Sequence, residues 1–98
     1  MTYADFCAEC ARQQRDYITG EFRRMSEAEA LRTSWHRGAI GTDAYRVSTA
    51  ALHLHPLTYA EIKARKHELG HMLAELNKHG GDTDAARAIY ALQHKEPV

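Results

Sequence analysis

Apolar residues in this chain recur every three or four positions and almost never alternate. That is the period of an amphipathic helix, not of a half-buried strand. Five helical segments are expected, at about residues 3–24, 27–37, 43–54, 59–79 and 84–94. The first carries Tyr3, Phe6, Cys7, Cys10, Ala11, Tyr17 and Ile18, and Gly20 is a point at which it can kink or break. The second carries Ala28, Leu31 and Trp35, and the third Tyr45, Val47, Ala51, Leu52 and Leu54. The fourth places Ile62, Leu69, Leu73 and Leu76 on one face, and the fifth carries Ala85, Ala88, Ile89 and Leu92.

Start and stop signals agree with this division. Thr2 with Asp5, Ser26 with Glu29, and Thr58 with Glu61 have the spacing of capping boxes, in which a hydroxyl and a carboxylate satisfy orphan amides reciprocally. Thr42 before Asp43, and the run Asp82-Thr83-Asp84, offer further N-caps with acid in the first turn. Gly38, Gly41, Pro56 and Gly80-Gly81 supply the stops. No internal repeat or low-complexity tract appears. The expected fold is therefore all-α, a compact bundle of four to five short helices joined by helical hairpins, with residues 1–98 as a single domain.

Charge removes some function classes. Thirteen basic residues balance thirteen acidic ones. The balance holds by halves, seven against seven up to residue 50 and six against six after it. A nucleic-acid binder usually carries a surplus of positive charge, so nucleic acid is not an expected partner. No apolar run approaches the ~18 residues of a membrane span, and no secretory signal is apparent, so a cytoplasmic location with reduced thiols is expected for Cys7 and Cys10. Seven histidines make the net charge sensitive to mildly acidic pH.

The stretch KHELGHM, residues 66–72, is the one pattern that names a chemistry. His67, Glu68 and His71 read H-E-x-x-H. Two histidines at i and i+4 on a helix can reach one zinc, and the glutamate between them can polarise a metal-bound water. Over these five residues the chain resembles the zincin metallopeptidases. The resemblance implies zinc held by His67 and His71, with Glu68 as general base and a third ligand from elsewhere, for which Glu75, His79, Asp82, Asp84 and His94 are the candidates. Three features depart from that family. Arg65 and Lys66 place charge directly before His67, no strand is read upstream, and the helical wheel sets His67 and His71 opposite the Leu69 face. A solvated, histidine-rich helix face is the preferred expectation, with no cofactor. Zinc, catalytic or adventitious, is the alternative.

Other polar groups are weighed in the same way. Cys7 and Cys10 form C-x-x-C on a helix without a second pair, so core thiols are expected rather than a mixed cysteine–histidine metal site. His53, His55 and His79 stand near helix C-termini, where the dipole favours basic side chains. WHRGAIGTDAYR, residues 35–46, is expected to be a structural hairpin plugged by Ile40. As a DNA-reading turn it would be followed by a helix whose single long basic residue is Arg46. Trp35 and Arg37 belong to residue types enriched at interface hot spots, and Arg12, Arg15, Arg23 and Arg24 form a candidate partner-binding arginine set. A packed role for Trp35 and a salt-laced surface for the arginines are the competing expectations.

The expected function is a small non-enzymatic interaction module. It would be a regulator or inhibitor docking onto another protein or protein complex, of the kind phages and plasmids direct against host assemblies. A homodimer is a further expectation. A zinc metallopeptidase is one alternative. A nucleic-acid-binding regulator using Arg23, Arg24, Arg46 or Lys63 is the other.

Overall fold

In the computed structural model, residues 2–94 are described, and four α-helices account for most of them. They are α1 (Tyr3–His36), α2 (Thr42–Ala51), α3 (Tyr59–His79) and α4 (Asp84–Gln93). The described residues contain no strand, as the apolar period requires.

The first two expected segments are one helix of 34 residues, which corrects the expected boundary at about residues 24–27 and the cap at Ser26, and the helix also passes through Gly20. The reason is continuity. Ile18, Met25 and Ala28 are all buried, so one apolar stripe runs through the supposed junction. A Ser-x-x-Glu pair caps only where amides lack partners, and inside a continuous helix the preceding turn supplies the carbonyls. Glu29 instead accepts a hydrogen bond from Lys66 Nζ of α3 at 2.6 Å.

The other two boxes form as expected. The Asp5 amide donates to Thr2 Oγ1 at 3.2 Å while the Thr2 amide donates to Asp5 Oδ2 at 3.1 Å. The Glu61 amide donates to Thr58 Oγ1 at 3.1 Å, and the Thr58 amide reaches Glu61 Oε1 at 3.4 Å. Thr83 caps α4 by accepting from the Ala86 amide at 3.0 Å. Gly41, not Thr42, is the N-cap of α2, and it makes no side-chain capping bond.

The helix ends divide by backbone chemistry. Gly38 takes φ 73 after α1, with its amide bonded to Trp35 O and that of Ala39 to Ser34 O, the paired bonds of a Schellman motif. The same motif ends α2 at Ala51, three residues earlier than expected, with His53 (φ 55) in the left-handed position and the Leu54 amide on Thr49 O. Pro56 therefore lies beyond the helix and does not terminate it.

The contacts divide the chain into two units, and α1 and α3 each contribute a half to both. One unit, Thr19–Gly70, buries Met25 and Ala28 of α1, Tyr45 and Thr49 of α2, and Ile62 and Leu69 of α3. The Thr49 hydroxyl meets the carbonyls of Tyr45 and Arg46, both at 3.0 Å, so this buried hydroxyl is not orphaned. The other unit takes α1 up to Ile18, α3 from His71 and all of α4. Its buried side chains are Ile18, Leu76 and Ala86. Tyr90 sets its ring against Tyr3 (5.1 Å, edge-on) and Phe6 (5.5 Å). Gly81 sits so close to α1 that a Cβ there would stand 2.0 Å from the Cys7 carbonyl oxygen.

Candidate functional site

The H-E-x-x-H residues lie on α3, where the helical wheel places them. His67, Glu68 and His71 are all exposed, and Leu69 between them is fully buried. Glu68 is held by Arg65, whose Nη1 is 3.1 Å from its carboxylate and whose Nη2 is 3.6 Å from Glu21. The charge before the motif thus engages the glutamate that a peptidase would use as base. Among the described residues no three His, Cys, Asp or Glu side chains come together as a metal-binding group. Glu75 and His79 pair with each other at 3.5 Å, and Asp82 is taken by Tyr3 and Arg87. Cys7 and Cys10 are half-buried free thiols.

The arginine set does not form one surface of free cations. Arg12 is clasped by Glu9 through Nε at 3.0 Å and through Nη2, and approaches Asp16 at 3.5 Å. Glu9 is held below its usual carboxylate range by that hydrogen bond from Arg12, and then by Gln13. Arg24 lies 3.5 Å from Glu21. Arg15, Arg23 and Arg37 are exposed.

Trp35 is half-buried in a cluster around Arg32. Its ring stacks on buried Tyr45 at 4.7 Å with 3° between planes, and its indole N–H donates to Thr42 Oγ1 at 3.3 Å. The Arg32 guanidinium carbon lies 5.6 Å from the Trp35 ring centroid and 5.2 Å from that of Tyr59. Arg32 Nη1 donates to the Leu57 carbonyl at 2.7 Å and reaches the Tyr45 hydroxyl at 3.4 Å, which fastens the connection before α3 to α1. Its Nε is buried without a partner. Tyr59 closes the group by donating to Thr33 Oγ1 at 3.1 Å and stacking on His36 at 5.2 Å. Sequence reasoning missed Arg32. Tyr45 and Tyr59 lie 13 and 27 positions beyond it, and no local pattern marks such a meeting.

Beside this cluster, α1 and α2 leave an open apolar groove of about 450 Å³. Its walls are Glu27, Ala30, Leu31 and Ser34 of α1 and Ser48, Ala51 and Leu52 beyond or on α2. Both rows have helical i, i+3, i+4 spacing. Val47, on the outer surface of α2, is 69% exposed. Small side chains dominate the groove, so another backbone can come close to it, and only Glu27 carries charge.

No helix of the described residues is long and apolar enough to cross a membrane. No protein-family model matches the chain, and neither a curated protein nor a solved structure shows significant similarity to it.

Proposed function

We propose that this protein is a helical interaction module that receives an amphipathic helix of a partner protein in the α1–α2 groove. The observation that carries this reading is the groove itself: two helices whose facing rows, Ala30, Leu31 and Ser34 against Ser48, Ala51 and Leu52, remain open to solvent. Apolar surface of this kind gains free energy when covered, at roughly 25 cal/mol per Å². Helix-in-groove docking is the recognition mode that matches its shape, with apolar anchors at helical spacing in the incoming segment. A regulatory or inhibitory role is the use proposed for that surface.

The test compares the wild-type chain with Ala30→Arg and Ala51→Arg as affinity baits. Both sites are exposed and both substitutions suit a helix, so circular dichroism should stay unchanged. A partner captured by wild type should fall at least tenfold on each groove variant and persist on Arg15→Ala, Arg23→Ala and Arg37→Ala. A partner that survives both groove substitutions and is lost with the arginines would place docking on the arginine surface instead.

A further inference from the structure

On the side of α2 away from the groove, the helix end and the connection that follows it enclose an open concavity of about 540 Å³. Arg46, His53 and His55 supply its polar rim, and Ala50, Leu54 and Pro56 its apolar wall. Among the described residues no carboxylate lines it. Arg46 forms no ion pair among them either, not even with Asp43 one turn earlier, whereas Arg12, Arg24, Arg65 and Arg87 each hold a carboxylate. The framework of the concavity is tied down. The amides of Leu52, His53 and Leu54 bond the carbonyls of Ser48, Ala50 and Thr49, so these carbonyls of the last turn are occupied. Arg32 Nη1 fastens the connection at the Leu57 carbonyl, 2.7 Å away. His53 sits at φ 55, where glycine rests freely and an L residue does not. A strained backbone position that places a polar side chain on the rim of a concavity is a pointer to function.

We infer that this concavity binds a phosphate monoester of a small organic molecule. The donor set argues for the phosphate. The Arg46 guanidinium is a planar fork that meets two oxygens at once. His53 and His55 each add at least one N–H, whatever their charge. A carboxylate has two oxygens, and the fork alone satisfies them. A phosphate monoester carries three terminal oxygens and nearly two negative charges, which call for the further donors. A divalent cation is the poorer match, because among the described residues no third ligand joins the two imidazoles and the guanidinium repels it. Volume and wall argue for the organic body. About 540 Å³ falls within the roughly 300–1,000 Å³ of small-molecule sites and exceeds what a bare phosphate fills. Ala50, Leu54 and Pro56 offer that body apolar surface to cover. The rim is exposed, so binding is weak, with Kd on the order of 1 mM. The site shares no lining residue with the α1–α2 groove and does not depend on what occupies it.

Amide NMR titration of the full chain decides it, with phenyl phosphate as the probe and inorganic phosphate and benzoate in parallel, each to about 20 mM to pass that Kd. Phenyl phosphate should shift the signals around Arg46 and His53–His55 along saturable curves. Arg46→Ala and His53→Gly should each weaken it by about tenfold, the scale of one charge-assisted hydrogen bond. Neither variant threatens the fold: Arg46 is an exposed helix position that alanine suits, and glycine suits the φ of His53. Lys78→Ala, an exposed cation in the other unit, should leave binding unchanged. Benzoate and inorganic phosphate should each bind several-fold more weakly than the ester. Absence of saturable shifts around α2 and the connection after it overturns the inference. So do shifts that persist in both Arg46→Ala and His53→Gly, which would mean diffuse attraction to surface charge. Benzoate binding as tightly as the ester overturns the choice of phosphate, and inorganic phosphate doing so overturns the part given to the apolar wall.

Discussion

His53 is the residue whose backbone conformation is most at odds with its identity. Its φ of 55 is a region that L side chains enter at a cost, and glycine enters freely. Among the described residues the other two left-handed positions, after α1 and α3, are Gly38 and Gly80. His53→Gly should therefore raise stability by about 0.5–1 kcal/mol, a Tm increase of a few degrees in a domain of this size. A lowered Tm in thermal melts would mean that the imidazole contributes more than the backbone loses. Asp82 gives the residue scale its pH dependence. The Tyr3 hydroxyl donates to its carboxylate at 2.5 Å and Arg87 Nε does so at 3.1 Å. The Tyr3 bond, chiefly, and then Arg87 hold the Asp82 carboxyl below its ordinary value, and the same bond raises the Tyr3 phenol. A depressed carboxyl contributes stability that is present above its unfolded pKa of about 3.9 and lost as pH falls through the folded value. A raised phenol contributes stability that is present below about pH 10 and lost as the solution becomes more alkaline. Asp82→Asn should lower Tm at pH 7, and the gap from wild type should close as pH drops from 4 toward 2. Parallel melting curves over that range would contradict the role given to the Tyr3–Asp82–Arg87 group.

At the scale of the element, α1 shows how a local signal yields to a longer one. Gly20 and the Ser26–Glu29 pair both suggested an interruption, yet the helix passes through them. Glycine in a helix interior costs backbone entropy, about 1 kcal/mol relative to alanine. A Cβ at Gly20 would find nothing within 4 Å. Gly20→Ala should accordingly stabilise the protein by roughly 0.5–1 kcal/mol, read as a higher denaturant midpoint with an unchanged slope. A loss of stability would show that α1 needs the freedom of glycine at this point. Other elements were legible because their signals were complete. For α3 the capping box at Thr58, the stripe Ile62, Leu69, Leu73 and Leu76, and the left-handed Gly80 all agree, and its bounds come out as expected. For α4 the bounds were legible and the packed side was not. Its largest apolar residues point to solvent, and Ala86 and Tyr90 do the packing. Periodicity finds an amphipathic stripe but does not say whether a neighbour covers it.

For the whole molecule, charge balance and helical period were properties of the chain alone. An all-α fold, the helix starts at Thr2, Thr58 and Thr83, and the solvent-facing side of His67 and His71 followed from spacing over at most a few turns. Such features are decided by interactions between residues three or four positions apart, which a linear sequence displays directly. Tertiary structure decided the rest. It brought Arg32 between Trp35 and Tyr59, set Arg65 on Glu68 and Glu21 together, pressed Gly81 against the α1 backbone, and opened the groove between α1 and α2. All but the Arg65–Glu68 pair depend on segments distant in sequence meeting at one particular distance. Packing of whole helices sets that distance, and no periodicity within a single helix encodes it.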